Sequence, residues 1–117
     1  TDFVRADVDY DGGITGVMKI AHVAEGFGLD CEIHAPGHAP RHCMAAIRNT
    51  NYYELGLVNP KVAGWKSQHQ VHADDYSDDL DAVDGDGCVP VPQGAGLGYN
   101  LNWDWVNKHA TGTTVYE

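Results

Sequence analysis

In Asp7-Val8-Asp9-Tyr10-Asp11-Gly12-Gly13-Ile14-Thr15-Gly16, three alternating carboxylates run into paired glycines and then into a helix start. Asp7, Asp9 and Asp11 ahead of Gly12 match the opening of a calcium-binding EF-hand loop, with Ile14 at its usual apolar eighth position. The twelfth position requires a bidentate carboxylate, and Met18 occupies it. The residues before the loop, Phe3 to Ala6, are strand-like where an entering helix is needed. The plainer reading is a turn whose aspartates bond the local backbone at the end of a strand.

Outward from that turn the chain alternates strand and helix. Ile14, Val17, Met18, Ala21 and Ala24 recur every three or four residues, which predicts a helix from Thr15 to Glu25 with Thr15 as N-cap. Gly26 and Gly28 end it, and Leu29 to Ile33 reads as a second strand. Strand, glycine turn, helix, glycine stop and strand make a parallel βαβ unit. Two prolines in Ala35-Pro36-Gly37-His38-Ala39-Pro40 predict a loop, with Pro40 as the first residue of a helix from Arg41 to Ile47. Asn49-Thr50-Asn51 breaks that helix, and Tyr52 to Val58 is a third strand candidate. Beyond it, the aspartate-rich run Asp74 to Asp86 reads as a solvated surface segment. Val89-Pro90-Val91-Pro92 is extended, Gly94-Ala95-Gly96-Leu97-Gly98 is a turn, and Asn102 to His109 forms a short closing helix around Trp103 and Trp105.

A chain of 117 residues supports one domain with a real core. Its net charge of −10 argues against nucleic acid and anionic membrane as partners, since both are held by Lys and Arg. No apolar run approaches the ~18 residues of a membrane span, and no signal-peptide pattern is present. Cys31, Cys43 and Cys88 form an odd, widely spaced set without a CxxC pair, which favours neither a disulfide framework nor a thiolate zinc site and suits a reducing cytoplasm. The start at Thr1-Asp2, immediately strand-like and without Met, reads as an interior cut in a longer protein.

Two further patterns yield to bland readings. His34, His38 and His42 would align as metal ligands on one continuous helix, but Pro36 and Pro40 interrupt it. Gly94-x-Gly96-x-Gly98 lacks the Lys and Ser or Thr of a phosphate loop and the spacing of a dinucleotide fingerprint. More informative is convergence at strand ends. Asp7 closes the first strand, His34 the second, and Glu54 lies within the third; in parallel-strand barrels the catalytic side chains project from that end. A carboxylate held against an imidazole fixes its tautomer and raises its basicity. A lone strand-end histidine is more often structural than catalytic, so both readings stand on the residues alone.

The stretch ADVDYDGGITGVMKIAHVAEGFGLDCEIH resembles the sixth and seventh βα units of the enolase superfamily, mandelate racemase subgroup. That pattern has a strand-end Asp, four residues, Gly-Gly-[IV]-Thr, a helix and a strand-end His. Asp7, Gly12-Gly13-Ile14-Thr15 and His34 follow it, with Asp7 and His34 27 residues apart. Glu54, 20 residues beyond His34, stands where the subgroup carries its eighth-strand carboxylate, and Pro92-Gln93-Gly94-Ala95-Gly96-Leu97-Gly98 is similar to its tail motif. The resemblance covers most of residues 1–58 and 87–105.

The resemblance implies the C-terminal part of a (β/α)8 barrel, about the last three βα units plus a tail, with residues 1–58 as units six to eight and 59–117 as acidic segment and tail. A full barrel needs about 250 residues. It also implies a small carboxylate substrate, α-proton abstraction and an enediolate stabilised by Mg2+, whose ligands lie upstream of Thr1 so that none of these residues binds it. By resemblance Asp7 orients His34, His34 moves the proton, and Glu54 is both catalytic and substrate-binding. The expected whole is a Mg2+-dependent sugar-acid dehydratase, cytoplasmic and homo-oligomeric, with the fragment alone inactive. A racemase, epimerase or cycloisomerase is the nearest alternative, and an acidic calcium- or protein-binding module without catalysis is the alternative from another class. Strand parity adds that Phe3, Arg5, Glu32 and Tyr52 point to the same side as Asp7, His34 and Glu54, with Arg5 and Glu32 expected to form an ion pair.

Overall fold

A computed structural model describes residues 1–56 and 70–116. Two strands, β1 (Phe3–Asp7) and β2 (Asp30–His34), pair in parallel and are joined through helix α1 (Gly13–Gly26). Helix α2 (His38–Ala46) follows β2, and α3 (Trp103–His109) closes the chain. The parallel strands match the C-terminal barrel portion expected from the sequence.

Period-two alternation sorts the strand residues. Ala6, Cys31 and Ile33 are buried in one cluster with Val17, Ala21 and Ala24, the stripe that α1 lays on the sheet at helical spacing. Cys43 and Ile47 bring α2 and its exit into the same cluster. Full burial of a side chain such as Val17 is worth about 1.5–3 kcal/mol, so this stripe holds the helix against the ladder. Ile14, expected on the same stripe, sits in the first turn and is partly exposed.

The entry to α1 differs from expectation. The N-cap is Gly12, not Thr15, and no side chain caps it. Gly12 has φ +84°, a left-handed value that favours glycine. Gly16 answers a second demand: a Cβ there would fall 1.6 Å from the carbonyl oxygen of Asp11. The carboxylate-rich turn therefore folds back onto the first turn of α1 and leaves no room for a side chain.

Helix α2 starts at His38, three residues before the expected Arg41, and Pro40 is its third residue. First-turn amides have no intrahelical acceptor, so the missing N–H of Pro40 costs nothing there. The third strand is not formed among the described residues: 51–56 joins no ladder, and Leu57 and Val58 lie outside them. Side chains occupy the edge where it would pair. Asn51 Nδ2 donates to Asp30 Oδ2 and Glu32 Oε1, each at 2.9 Å, and the Tyr52 amide meets the Glu32 carboxylate at 3.4 Å. A backbone bond to β2 does occur further back, from Cys31 N to the Asn49 carbonyl at 2.6 Å.

The tail packs back onto the unit. His72 and Leu101 form an antiparallel bridge, flanked by Ala73 N to Asn100 O at 2.8 Å and Asn102 N to Val71 O at 2.9 Å. In α3 the Asn102 side chain accepts from Trp105 N, and Asp104 in the first turn with Lys108 and His109 in the last suit the helix dipole.

Candidate active site

Asp7 and His34 end the two strands, and the ladder places them opposite one another. His34 Nδ1 hydrogen-bonds Asp7 Oδ2. The other oxygen, Asp7 Oδ1, accepts the Asp9 amide at 2.7 Å, and the Asp7 amide donates to Asp11 Oδ2 at 2.8 Å. Asp11 thus shapes the turn by holding the backbone of Asp7, while Asp9 offers its amide. Asp7 is only 8% exposed. The hydrogen bond from His34, joined by the Asp9 amide and opposed by burial, holds its carboxyl below the usual range, so it is ionised at neutral pH. An ionised Asp7 fixes the proton on Nδ1 and leaves the lone pair on Nε2.

Nε2 faces the third group. Glu54 Oε2 lies 4.0 Å from it, accepts from Ala35 N at 2.9 Å and pairs with Arg5 Nη2 at 2.6 Å. Arg5 and Glu32 are register partners, as parity requires, but the expected ion pair between them is replaced by the Arg5–Glu54 pair. Glu32 is engaged by Asn51 and Tyr52 instead. Parity fixes the side on which a residue lies; the crossing segment carrying Glu54 decides its partner. Phe3, Arg5, Glu32, Tyr52 and Glu54 do line one open cavity.

A cleft of about 170 Å3 opens beside the pair, bounded by Asp7, Asp9, His34, Pro36, His38 and Tyr99. It is smaller than the ~300 Å3 of an ordinary ligand pocket and admits one end of a small molecule. His38 is 2% exposed and stacks between Tyr76 and Tyr99, at centroid distances of 3.8 and 4.0 Å, with His72 at 5.0 Å. Burial, then the neighbouring His72, lowers its pKa to about 4 and keeps it neutral. His42 Nε2 lies 3.2 Å from the Leu97 carbonyl. The three spaced histidines therefore serve separate ends: hydrogen bonding to Asp7, aromatic packing and a tail contact.

The Mg2+ implied by the resemblance requires several converging oxygen ligands. Among the described residues no group of three or more His, Cys, Asp or Glu is placed to hold a metal ion. Asp7 and Asp11 are committed to His34 and to the turn, and Glu54 to Arg5 and Ala35. These residues do not fit a magnesium site.

Composition concealed one part of this region. Asp78, within the run read as solvated surface, has a side chain only 13% exposed, paired at 2.8 Å with the buried Arg41. It also accepts from the hydroxyls of Tyr53 at 2.6 Å and Tyr76 at 3.0 Å. Arg41 further donates to the carbonyls of Ser77 and of Pro90, the latter at 3.0 Å. An arginine on the apolar face of a short helix was the available signal, since a buried guanidinium demands a carboxylate.

Residues 1–105 match the family model described as enolase C-terminal domain-like. Among solved structures, a D-glucarate dehydratase from Agrobacterium tumefaciens complexed with magnesium matches with 34% identity and a TM-score of 0.71. The match covers 92% of this chain and 27% of that one, so the chain spans about a quarter of that enzyme's length.

Proposed function

Because the chain belongs to the enolase C-terminal domain-like family, we propose that it is the proton-transferring portion of a lyase that dehydrates a sugar acid. The observation that carries the reading is the cross-strand Asp7–His34 hydrogen bond, which engages Nδ1 and leaves Nε2 facing Glu54 at 4.0 Å. His34 Nε2 removes the proton on the carbon next to the substrate carboxylate, or delivers a proton to the departing β-hydroxyl. Loss of that proton and of hydroxide, which leaves as water, gives an enol that tautomerises to the 2-keto acid. Asp7 stabilises the imidazolium formed on the way, as a fixed negative charge beside a developing positive one. Glu54 orients the substrate through a hydroxyl or a protonated carboxyl.

Dehydration is preferred to racemisation, epimerisation or cycloisomerisation because the matched structure is a dehydratase. D-Glucarate is accordingly the first substrate to try. Magnesium enters the proposal as a ligand of other parts of the protein. The net charge supports a partner list without nucleic acid or membrane, and the free thiols support a cytoplasmic setting. Exposed Phe3 and Tyr52, 55% and 81% accessible, support burial against further polypeptide, including a second copy.

The test is the full-length protein with Mg2+ and a panel of acid sugars, followed for 2-keto product and for solvent deuterium at the α-carbon. Product from a sugar acid is expected. Deuterium exchange without dehydration would move the assignment to the isomerases, and the absence of both product and exchange would overturn it.

A further inference from the structure

The loop that leaves His34 is held in an unusual shape by two consecutive residues of a distant segment. Ala35 has φ +65°, a left-handed value that a residue with a Cβ seldom adopts, and it also precedes a proline. Such strain is destabilising and persists only where the surroundings impose it, and it concentrates at functional sites. Here the surroundings do impose it. The Ala35 amide donates to Glu54 Oε2 at 2.9 Å, and the Gly37 amide donates to the Tyr53 hydroxyl at 2.7 Å. Neighbours in sequence, Tyr53 and Glu54 grip the loop at two amides on either side of Pro36.

The Tyr53 oxygen is fully used. It accepts from Gly37 N and from Arg41 Nε at 3.1 Å, and it donates to Asp78 Oδ1 at 2.6 Å, which exhausts the one donor and two acceptor sites of a phenol. Arg41 lies 5.0 Å from the Tyr53 ring centre and is itself paired with Asp78. Burial, then the bond to Asp78, pushes the phenol pKa up, so the hydroxyl keeps its proton for Asp78 and its lone pairs for Gly37 and Arg41. The clamp also reaches the next stretch of chain, where Gly56 N donates to the Asp78 carbonyl at 3.3 Å. The bonds of Tyr53, Arg41 and Asp78 go to the loop backbone and to one another, not to the His34 ring. The network's output is the backbone that carries His34 on one side and Glu54 on the other.

We propose that Tyr53 is a positioning residue: its hydroxyl, locked by the Arg41–Asp78 pair, fixes the Ala35–Gly37 loop and thereby the mutual placement of His34 and Glu54. The inference rests on the proton-transfer reading of that pair, but its central test needs no substrate. In the unaltered full-length protein, the amides of Ala35 and Gly37 exchange with solvent deuterium as slowly as that of Ile33 in β2, although they lie in a loop. In Tyr53→Phe, which removes one oxygen, exchange at both amides rises about tenfold or more, the size expected for one lost hydrogen bond. The His34 Nδ1–H resonance shifts or broadens, and amides of α1 such as Ala21 and Ala24 keep their rates.

With an active substrate, kcat falls about tenfold to a hundredfold while KM stays within about threefold, as for a displaced catalytic group. Loop-like fast exchange at Ala35 and Gly37 in the unaltered protein overturns the proposal. So does a Tyr53→Phe protein in which only Gly37 responds, or in which α1 accelerates equally, since the hydroxyl would then be merely structural. A protein that turns over no acid sugar defeats the dehydratase assignment and leaves the exchange result to decide this one.

Discussion

Asp7 and His34 are register partners across a parallel ladder, the last pair of β1 and β2, and their side chains meet in a hydrogen bond. The carboxylate does not reach the imidazole by a flexible loop; two strands deliver it. Replacing Asp7 with Asn keeps the shape but offers no charge to the imidazolium and permits the wrong tautomer. The expected outcome in the full-length enzyme is a kcat lower by about 10²-fold or more, with His34→Asn at least as severe. Steady-state rates and α-carbon deuterium exchange check both.

Glu54 separates function from stability. Its pair with Arg5 is half-exposed, at 53% and 42% for the two side chains, and such pairs contribute about 0–1 kcal/mol. Glu54→Gln is therefore expected to move the unfolding free energy by less than about 1 kcal/mol while reducing kcat/KM at least about tenfold. Denaturant titration beside the kinetics separates the two; an equal loss in both would make Glu54 a structural residue.

The Arg41–Asp78 pair behaves in the opposite way. Both partners are shielded, and removing one strands the other without compensation. Arg41→Met is expected to cost about 3–5 kcal/mol, and adding Asp78→Asn should recover part of it. A double-mutant cycle by chemical denaturation measures the coupling.

Acid sensitivity follows from His38. Its folded pKa, about 4, lies below the ~6.5 of an unfolded histidine. Between those values the unfolded chain binds a proton that the folded chain refuses, so this contribution is complete above ~6.5 and is lost as pH falls toward 4. Asp7 adds a loss at lower pH: its carboxyl is depressed in the fold, so its contribution is present above ~3.9 and disappears as pH falls through the folded value. Unfolding free energies should decline between about pH 7.5 and about pH 4, across the histidine window, and His38→Phe should flatten that decline.

Gly16 tests the turn. An alanine Cβ would sit 1.6 Å from the Asp11 carbonyl oxygen, and the backbone itself would have to shift. Gly16→Ala is expected to destabilise by about 3 kcal/mol, the upper end for overpacking, and to weaken the Asp7–His34 bond. Thermal unfolding and the His34 Nδ1–H resonance report the two effects.

What was legible in the chain was what periodicity and spacing encode. The stripe through Val17, Ala21 and Ala24 marked α1, and the strand ends at Asp7 and His34 marked the pair. Helix starts were less visible, because Gly12 caps α1 through backbone geometry alone and Pro40 fits within a first turn that needs no donors. Least legible were partnerships across long separations. Arg41 and Asp78 meet 37 residues apart, and an aspartate in an acidic run looks the same in sequence whether it is solvated or buried. Arg5 shows the same limit on a smaller scale: its register with Glu32 followed from parity, while its ion pair went to Glu54.

The single helix between β1 and β2 also has a kinetic meaning. Asp7 and His34 lie 27 residues apart and are joined by one local crossover, so loop closure for this contact is inexpensive. The pair can assemble as soon as the first βαβ unit condenses. Arg41 and Asp78 meet across 37 residues, so this contact carries a slightly larger closure cost and needs the later part of the chain. The Asp7–His34 pair is thus a property of one supersecondary unit, whereas its surroundings depend on contact with the tail.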